Sequence, residues 1–144
     1  MHNNRPNFSL HHARIWGIGV DLCRVERMQA AYTRQGARLL LRLLTPAEQD
    51  MFHARWNDLP ARGLQYLASR FAAKEASAKA LGTGIRGVMG FQAASVLPDE
   101  LGKPCVHTHG ELTKMFESQG LCAHISLSDE AGLVLAYCVV EKIG

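Results

Sequence analysis

The sequence has no C-x-x-C pair, no apolar run long enough to cross a bilayer, and no strong excess of either charge. Each absence removes a class of function. The four cysteines, Cys23, Cys105, Cys122 and Cys138, lie within or beside strand-like runs. They read as reduced, small apolar residues of a cytoplasmic protein, not as a disulfide frame or a zinc site. The longest apolar stretch, AGLVLAYCVV at 131–140, is too short for a membrane helix and reads as a buried strand. A net charge of +3 over 144 residues does not describe a polyanion binder, so any basic function must come from local clustering. GIGVDL lacks the third glycine of a dinucleotide fingerprint. His107 and His109 share one face of a strand-like segment, but no third ligand stands near for a metal. Residues 1–13 carry no apolar core like that of a secretory signal and read as a disordered lead-in. Residues 14–144 then form one domain, without repeat, low-complexity tract or linker.

What is present suits a globular core: 47% hydrophobic and 20% charged residues. The spacing predicts a strand at 14–21, a helix at 23–35 stopped by Gly36, and a further helical piece at 37–44. Thr45 reads as an N-cap, with Pro46 at the first helical position and Glu48 completing a capping box. That helix runs to about Trp56, and 57–63 reads as a loop. A long helix spans Leu64 to Leu81 and ends at Gly82. Strands at 91–97 and 105–109, a helix at 111–120, and strands at 122–128 and 132–140 complete the chain. Helices first and strands later argue an α+β fold and not a doubly wound sheet.

Glu75 is the anomaly. At about 100° per residue it falls within roughly 60° of Phe71, as do Leu64, Leu67, Ala68 and Ala78. A carboxylate on that stripe is costly unless it is paired or binds a metal. Lys79, one turn on, is the ordinary partner. On the first strand Gly17, Gly19 and Asp21 share one face, while Trp16, Ile18 and Val20 share the other. The apolar face is expected to be packed. The bare face ends in a carboxylate and invites close approach, by a ligand or by a packed helix. His124, Ser126 and Ser128 alternate with Ile125 and Leu127, which gives either a solvent-facing edge or part of a site. Two carboxylates with open positions suit Mg²⁺. A lysine and the N–H groups of a glycine turn suit phosphate oxygens. The inventory fits phosphoryl-type transfer without naming the substrate.

The segments GIGVDLCRVERM and RFAAKEASAKALGTGI, together with LGKP and HISLSDE, resemble the holo-[acyl-carrier-protein] synthases. These are small single-domain 4′-phosphopantetheinyl transferases, and the resemblance runs from about Arg14 to the C-terminus. It implies a fold with helices on one side of a mainly antiparallel sheet. It also implies transfer of the phosphopantetheine arm of coenzyme A to a serine of apo-acyl carrier protein for fatty acid synthesis, leaving adenosine 3′,5′-bisphosphate. Mg²⁺ and a homotrimer with coenzyme A between subunits belong to the same implication. By resemblance, Asp21 and Glu75 match the metal-binding carboxylates and Lys79 the lysine at the pyrophosphate. Gly82, Thr83 and Gly84 match the turn against the nucleotide, Arg70 and Lys74 basic positions near coenzyme A phosphates, and His124 a strand histidine near the site. The serine proton goes to Glu75, Asp21 or a metal-bound water. Asp129 and Glu130 stand where some members carry a histidine and threonine that serve the nucleotide, and acids there would repel phosphate.

From Arg24 the helix places Arg27, Ala31 and Arg34 along one basic stripe, with Met28 beside it and Arg38 continuing it if the helix survives Gly36, and this stripe suits an acidic helical partner such as the carrier. Two other classes compete. One is a non-catalytic coenzyme A or nucleotide-binding module, against which Asp21, Glu75 and Lys79 argue. The other is a nucleic-acid binder using the arginines, which the modest net charge disfavours.

Overall fold

The computed structural model describes residues 14–143, and the expected lead-in at 1–13 lies outside them. The order is β1 (Arg14–Arg24), α1 (Val25–Gln35), α2 (Ala37–Leu43), α3 (Pro46–Asp58), α4 (Pro60–Leu81), β2 (Ala94–Pro98), β3 (Pro104–Thr108), α5 (Gly110–Gln119), β4 (Leu121–Glu130) and β5 (Leu133–Lys142). β1, β5 and β4 form an antiparallel sheet in that order, and β2 and β3 form a separate antiparallel hairpin. The fold is α+β, as expected.

α4 crosses one face of the three-stranded sheet, and the glycines of β1 explain how. A Cβ on Gly17 would lie 1.9 Å from the Ala80 carbonyl oxygen, and one on Gly19 would lie 1.9 Å from that of Ala76. Backbone meets backbone here, which only glycine on the strand and alanine on the helix permit. Of the two readings of the bare face, the packed helix is the one found over Gly17 and Gly19. Ala72, Ala73, Ala76 and Ala78 are wholly buried, and Cys138, Ala136 and Val134 of β5 continue the same layer.

The expected packing of the other β1 face is reversed. Ile15, Trp16, Ile18, Val20 and Leu22 are exposed, with Ile18 at 57% and Leu22 at 56%. Leu135 and Tyr137 of β5 extend this open apolar surface. Alternation told the two faces apart correctly, but within one chain only the glycine face has a layer to bury it.

Helix ends follow local chemistry. Thr45 and Glu48 form the expected capping box at α3, with Thr45 N–H donating to Glu48 Oε1 at 2.9 Å. α4 begins four residues earlier than the spacing suggests, because Pro60 takes its first position and Leu59 alone interrupts the chain. Gly82 ends it in the left-handed conformation at φ 81°. All four cysteines are free, Cys23 and Cys138 in the core and the other two part-exposed.

Candidate functional site

Asp21 lies on the glycine face of β1, where α4 runs past it. Lys79 Nζ donates to Asp21 Oδ1 at 3.2 Å and to the Val20 carbonyl at 2.9 Å. The lysine therefore reaches across to the strand and not back to Glu75. Among the described residues no hydrogen bond or ion pair engages Glu75. Partial burial pushes the Glu75 carboxyl above its usual range and the Asp21 charge pushes it further, against the pull of Lys79 and Arg27. Two carboxylates that repel each other, one already drawing an ammonium group, make a place that favours a cation.

The location of Glu75 corrects the periodicity argument. Phe71 and Glu75 are half-buried and Lys79 is exposed, whereas nearly every other residue from Leu64 to Leu81 is buried. Of the stripe taken for the core side, Leu64, Leu67, Ala68 and Ala78 are buried, and Phe71 and Glu75 lie at its open edge with Lys79. α4 is covered on most of its circumference, so apolar spacing does not mark its inward face. Arg27 of α1 caps this stripe, its Cζ 5.2 Å from the Phe71 ring centroid.

Lys74 is corrected outright. Its ammonium is completely buried and donates to Glu48 Oε1 at 2.5 Å, to the Leu43 carbonyl at 2.9 Å and to that of Phe91 at 2.7 Å. All three donors are used, so none is left for a coenzyme A phosphate. Glu48 in turn accepts from Val96 N–H at 2.8 Å, and this pair fastens α2, α3 and β2 to α4.

The turn after α4 also differs from expectation. The N–H groups of Gly82, Thr83 and Gly84 point back to the Lys79 and Ala78 carbonyls, closing the helix. They are not an open cradle for an anion. Met28 of the expected partner stripe is 3% exposed and belongs to the core, as does Ala31, while Arg24, Arg27 and Arg34 are exposed. α1 turns that apolar side inward because it packs on α4.

His124 is separated from the carboxylates within one chain. It pairs across to Val139 and so shares the open face with Ile18, whereas Asp21 pairs to Ala136 on the covered face. On that open face His124 Nε2 lies 2.6 Å from Glu141 Oε1.

Arg70 lines a concavity of about 270 Å³ on the β4 side of α4. Its Nε donates to the Val96 carbonyl at 2.9 Å, and its guanidinium lies 4.4 Å from the Tyr66 ring centroid. Arg55 lies 4.6 Å from the same centroid, and Arg62 is at the rim, paired with Asp58. Among the described residues the Tyr66 hydroxyl is buried without a hydrogen-bond partner, and burial pushes its pKa up to about 12. Sequence reading missed Arg55, Arg62 and Tyr66, because their meeting depends on α3 packing against α4. Asp129 shares this wall, so the acid expected to repel phosphate faces three arginines.

Residues 17–138 match the family model described as the 4′-phosphopantetheinyl transferase superfamily. The chain belongs to that superfamily. Its sequence is 46% identical over 127 residues to a holo-[acyl-carrier-protein] synthase of Methylibium petroleiphilum, covering 88% of this chain and 96% of that one. The fold is similar to the crystal structure of holo-[acyl-carrier-protein] synthase from Neisseria meningitidis, with TM-score 0.82, 41% identity and coverage of 90% and 100% of the two chains. A synthase from Bacillus anthracis, described as a complex with CoA (3′,5′-ADP), gives TM-score 0.72 at 31% identity, with 89% and 97% covered. This phosphopantetheinyl transferase thus spans the length of its relatives, and the match takes in Asp21, Glu75 and Lys79.

Proposed function

We infer that the chain is a holo-[acyl-carrier-protein] synthase, which moves 4′-phosphopantetheine from coenzyme A to a serine of apo-acyl carrier protein. The observation that carries this reading is the open Asp21–Glu75–Lys79 group, set at the meeting of β1 and α4 in a chain of this superfamily. A binding module without chemistry would have no use for two mutually repelling carboxylates beside an exposed lysine.

Asp21 and Glu75 are the residues that would hold Mg²⁺. The donor set fits. Among the described residues no cluster of three or more His, Cys, Asp or Glu could hold a metal. A cation here therefore takes two carboxylates and leaves its other positions to water and substrate oxygens, as Mg²⁺ prefers. When bound, the ion neutralises charge on the pyrophosphate. Lys79 leaves Asp21 to meet the same phosphates and stabilises the departing charge. The serine oxygen forms a bond to the phosphorus that bears pantetheine. The bridging P–O bond breaks, and its electron pair leaves on adenosine 3′,5′-bisphosphate. Glu75, which has no hydrogen-bond or ion-pair partner among the described residues, is the group we propose to take the serine proton.

The arginine concavity around Tyr66 suits a further phosphate of coenzyme A, which gives Arg70 a role after Lys74 is removed from that list. The exposed apolar face of β1 and β5 suits coverage by further copies of this chain. Assembly as a homotrimer would bury it and would allow His124 to reach the carboxylates of a neighbouring copy. A cytoplasmic location agrees with the absence, among the described residues, of any helix long and apolar enough to cross a membrane.

The test follows adenosine 3′,5′-bisphosphate by chromatography with apo-carrier, coenzyme A and Mg²⁺. Release that depends on the carrier supports transfer. Coenzyme A binding without release favours the non-catalytic module. Arg27→Glu should raise KM for the carrier and leave KM for coenzyme A nearly unchanged.

A further inference from the structure

α2 carries the sequence ARLLLRL, and three of its leucines, Leu39, Leu40 and Leu43, are 1%, 3% and 1% exposed. The fourth, Leu41, is 63% exposed. Among the described residues it joins no apolar cluster. Arg38 and Arg42 are exposed as well; Arg38 neighbours both Leu41, three residues on, and Arg42, four residues on. The Leu41 carbonyl is held by Gln92 Nε2 at 2.8 Å, so this short helix is fixed in place on the body of the domain. α2 follows α1 directly through Gly36, and α1 presents exposed Arg24, Arg27 and Arg34. An apolar side chain thus stands on a helix whose only charges are two arginines, next to the helix that borders the site.

We propose that Leu41 is the apolar anchor of the carrier-docking surface, flanked by Arg38 and Arg42. The occupant is an acidic helical protein, the class that the five exposed arginines of Arg24, α1 and α2 select against the single exposed acid, Glu26. This rests on the transferase reading and adds what that reading lacked once Met28 was found in the core. The arginines on α1 and α2 speed and orient the encounter through charge, and their effect fades as salt rises. Leu41 holds the complex by excluding water, as the central apolar residue of a mixed interface does, and its effect persists in salt. Contact between the helix of an acidic partner and Leu41 is the part that discriminates among carriers of similar charge.

The experiment measures steady-state transfer with apo-carrier varied at saturating coenzyme A, at low and high salt, for Leu41→Ala and Leu41→Glu. Leu59→Ala is the control, an exposed leucine outside α1 and α2. Leu41→Ala should raise KM for the carrier about tenfold, by a similar factor at both salt levels. Turnover, KM for coenzyme A and the mass of the assembly in light scattering should stay unchanged. Leu59→Ala should match the unmodified protein. A carrier KM within about twofold of the unmodified protein in both Leu41 variants would overturn the anchor. So would an equal rise in Leu59→Ala, or a change in assembly mass that places Leu41 between copies. If the unmodified protein makes no holo-carrier, the transferase reading itself fails, which is a different result from intact transfer with an indifferent Leu41.

Discussion

Replacing Lys74 by methionine separates a structural lysine from a substrate-binding one. Lys74 and Glu48 are both fully buried, and the pair is joined at 2.5 Å. Burial pushes the Lys74 ammonium below its ordinary pKa, while the Glu48 carboxylate draws it back up. Methionine matches the stem of the side chain but removes the charge and three hydrogen bonds. Glu48 would retain donors from Thr45 and Val96, yet its charge would be buried without a counter-ion. Breaking one side of such a pair costs about 3–5 kcal/mol, against a total stability of about 5–15 kcal/mol for an ordinary domain. Adding Glu48→Gln removes the stranded charge, so the double variant should recover about 1–3 kcal/mol of that loss. Urea unfolding of the four proteins measures the cycle. In the folded fraction, KM for coenzyme A should stay close to that of the unmodified protein. A Lys74→Met protein with normal stability and a sharply raised KM for coenzyme A would refute the buried pin and restore Lys74 to the phosphates.

Other outcomes follow from the same geometry. Glu75 has a folded pKa raised above its unfolded value, so the apo chain loses stability as pH rises from the ordinary carboxylate range through that raised value. Glu75→Gln removes this loss. In chelator the variant should melt higher than the unmodified protein at about pH 7 and equal to it at about pH 3, where both side chains are neutral. Equal melting at both pH values would contradict the sign. Tyr66→Phe deletes the unpartnered hydroxyl of the arginine concavity. KM for coenzyme A should rise several-fold while the melting temperature holds or rises, and unchanged coenzyme A kinetics would remove Tyr66 from the site. Gly19→Ala drives a methyl group into the Ala76 carbonyl and should cost about 3 kcal/mol or more in urea unfolding, because the obstacle is backbone and cannot rotate away.

The sequence carried the element order, the capping box at Thr45 and the two motif segments, because each rests on local spacing or on resemblance along the chain. It did not carry which face of an element is covered. β1 shows one apolar and one bare face, and packing reverses the usual assignment because α4 needs the glycines to come close. α4 is alanine-rich and buried on most sides, so its hydrophobic pattern could not place Glu75. Lys74 and Lys79 look alike in KEASAK, yet five residues turn them to different sides of the helix. One meets Glu48, 26 positions away in the chain, and the other meets Asp21, 58 positions away. Tyr66 and its two arginines were likewise hidden, since only the packing of α3 on α4 brings Arg55 to the ring.

We propose the Asp21–Glu75 pair as the seat of the chemistry. Intact-protein mass spectrometry of apo-carrier after incubation with coenzyme A and Mg²⁺ addresses it most directly. The unmodified protein should make the carrier heavier by one phosphopantetheine arm. Asp21→Asn, Glu75→Gln and added chelator should each leave the carrier mass unchanged. A carrier fully modified by either variant at the rate of the unmodified protein would contradict the account.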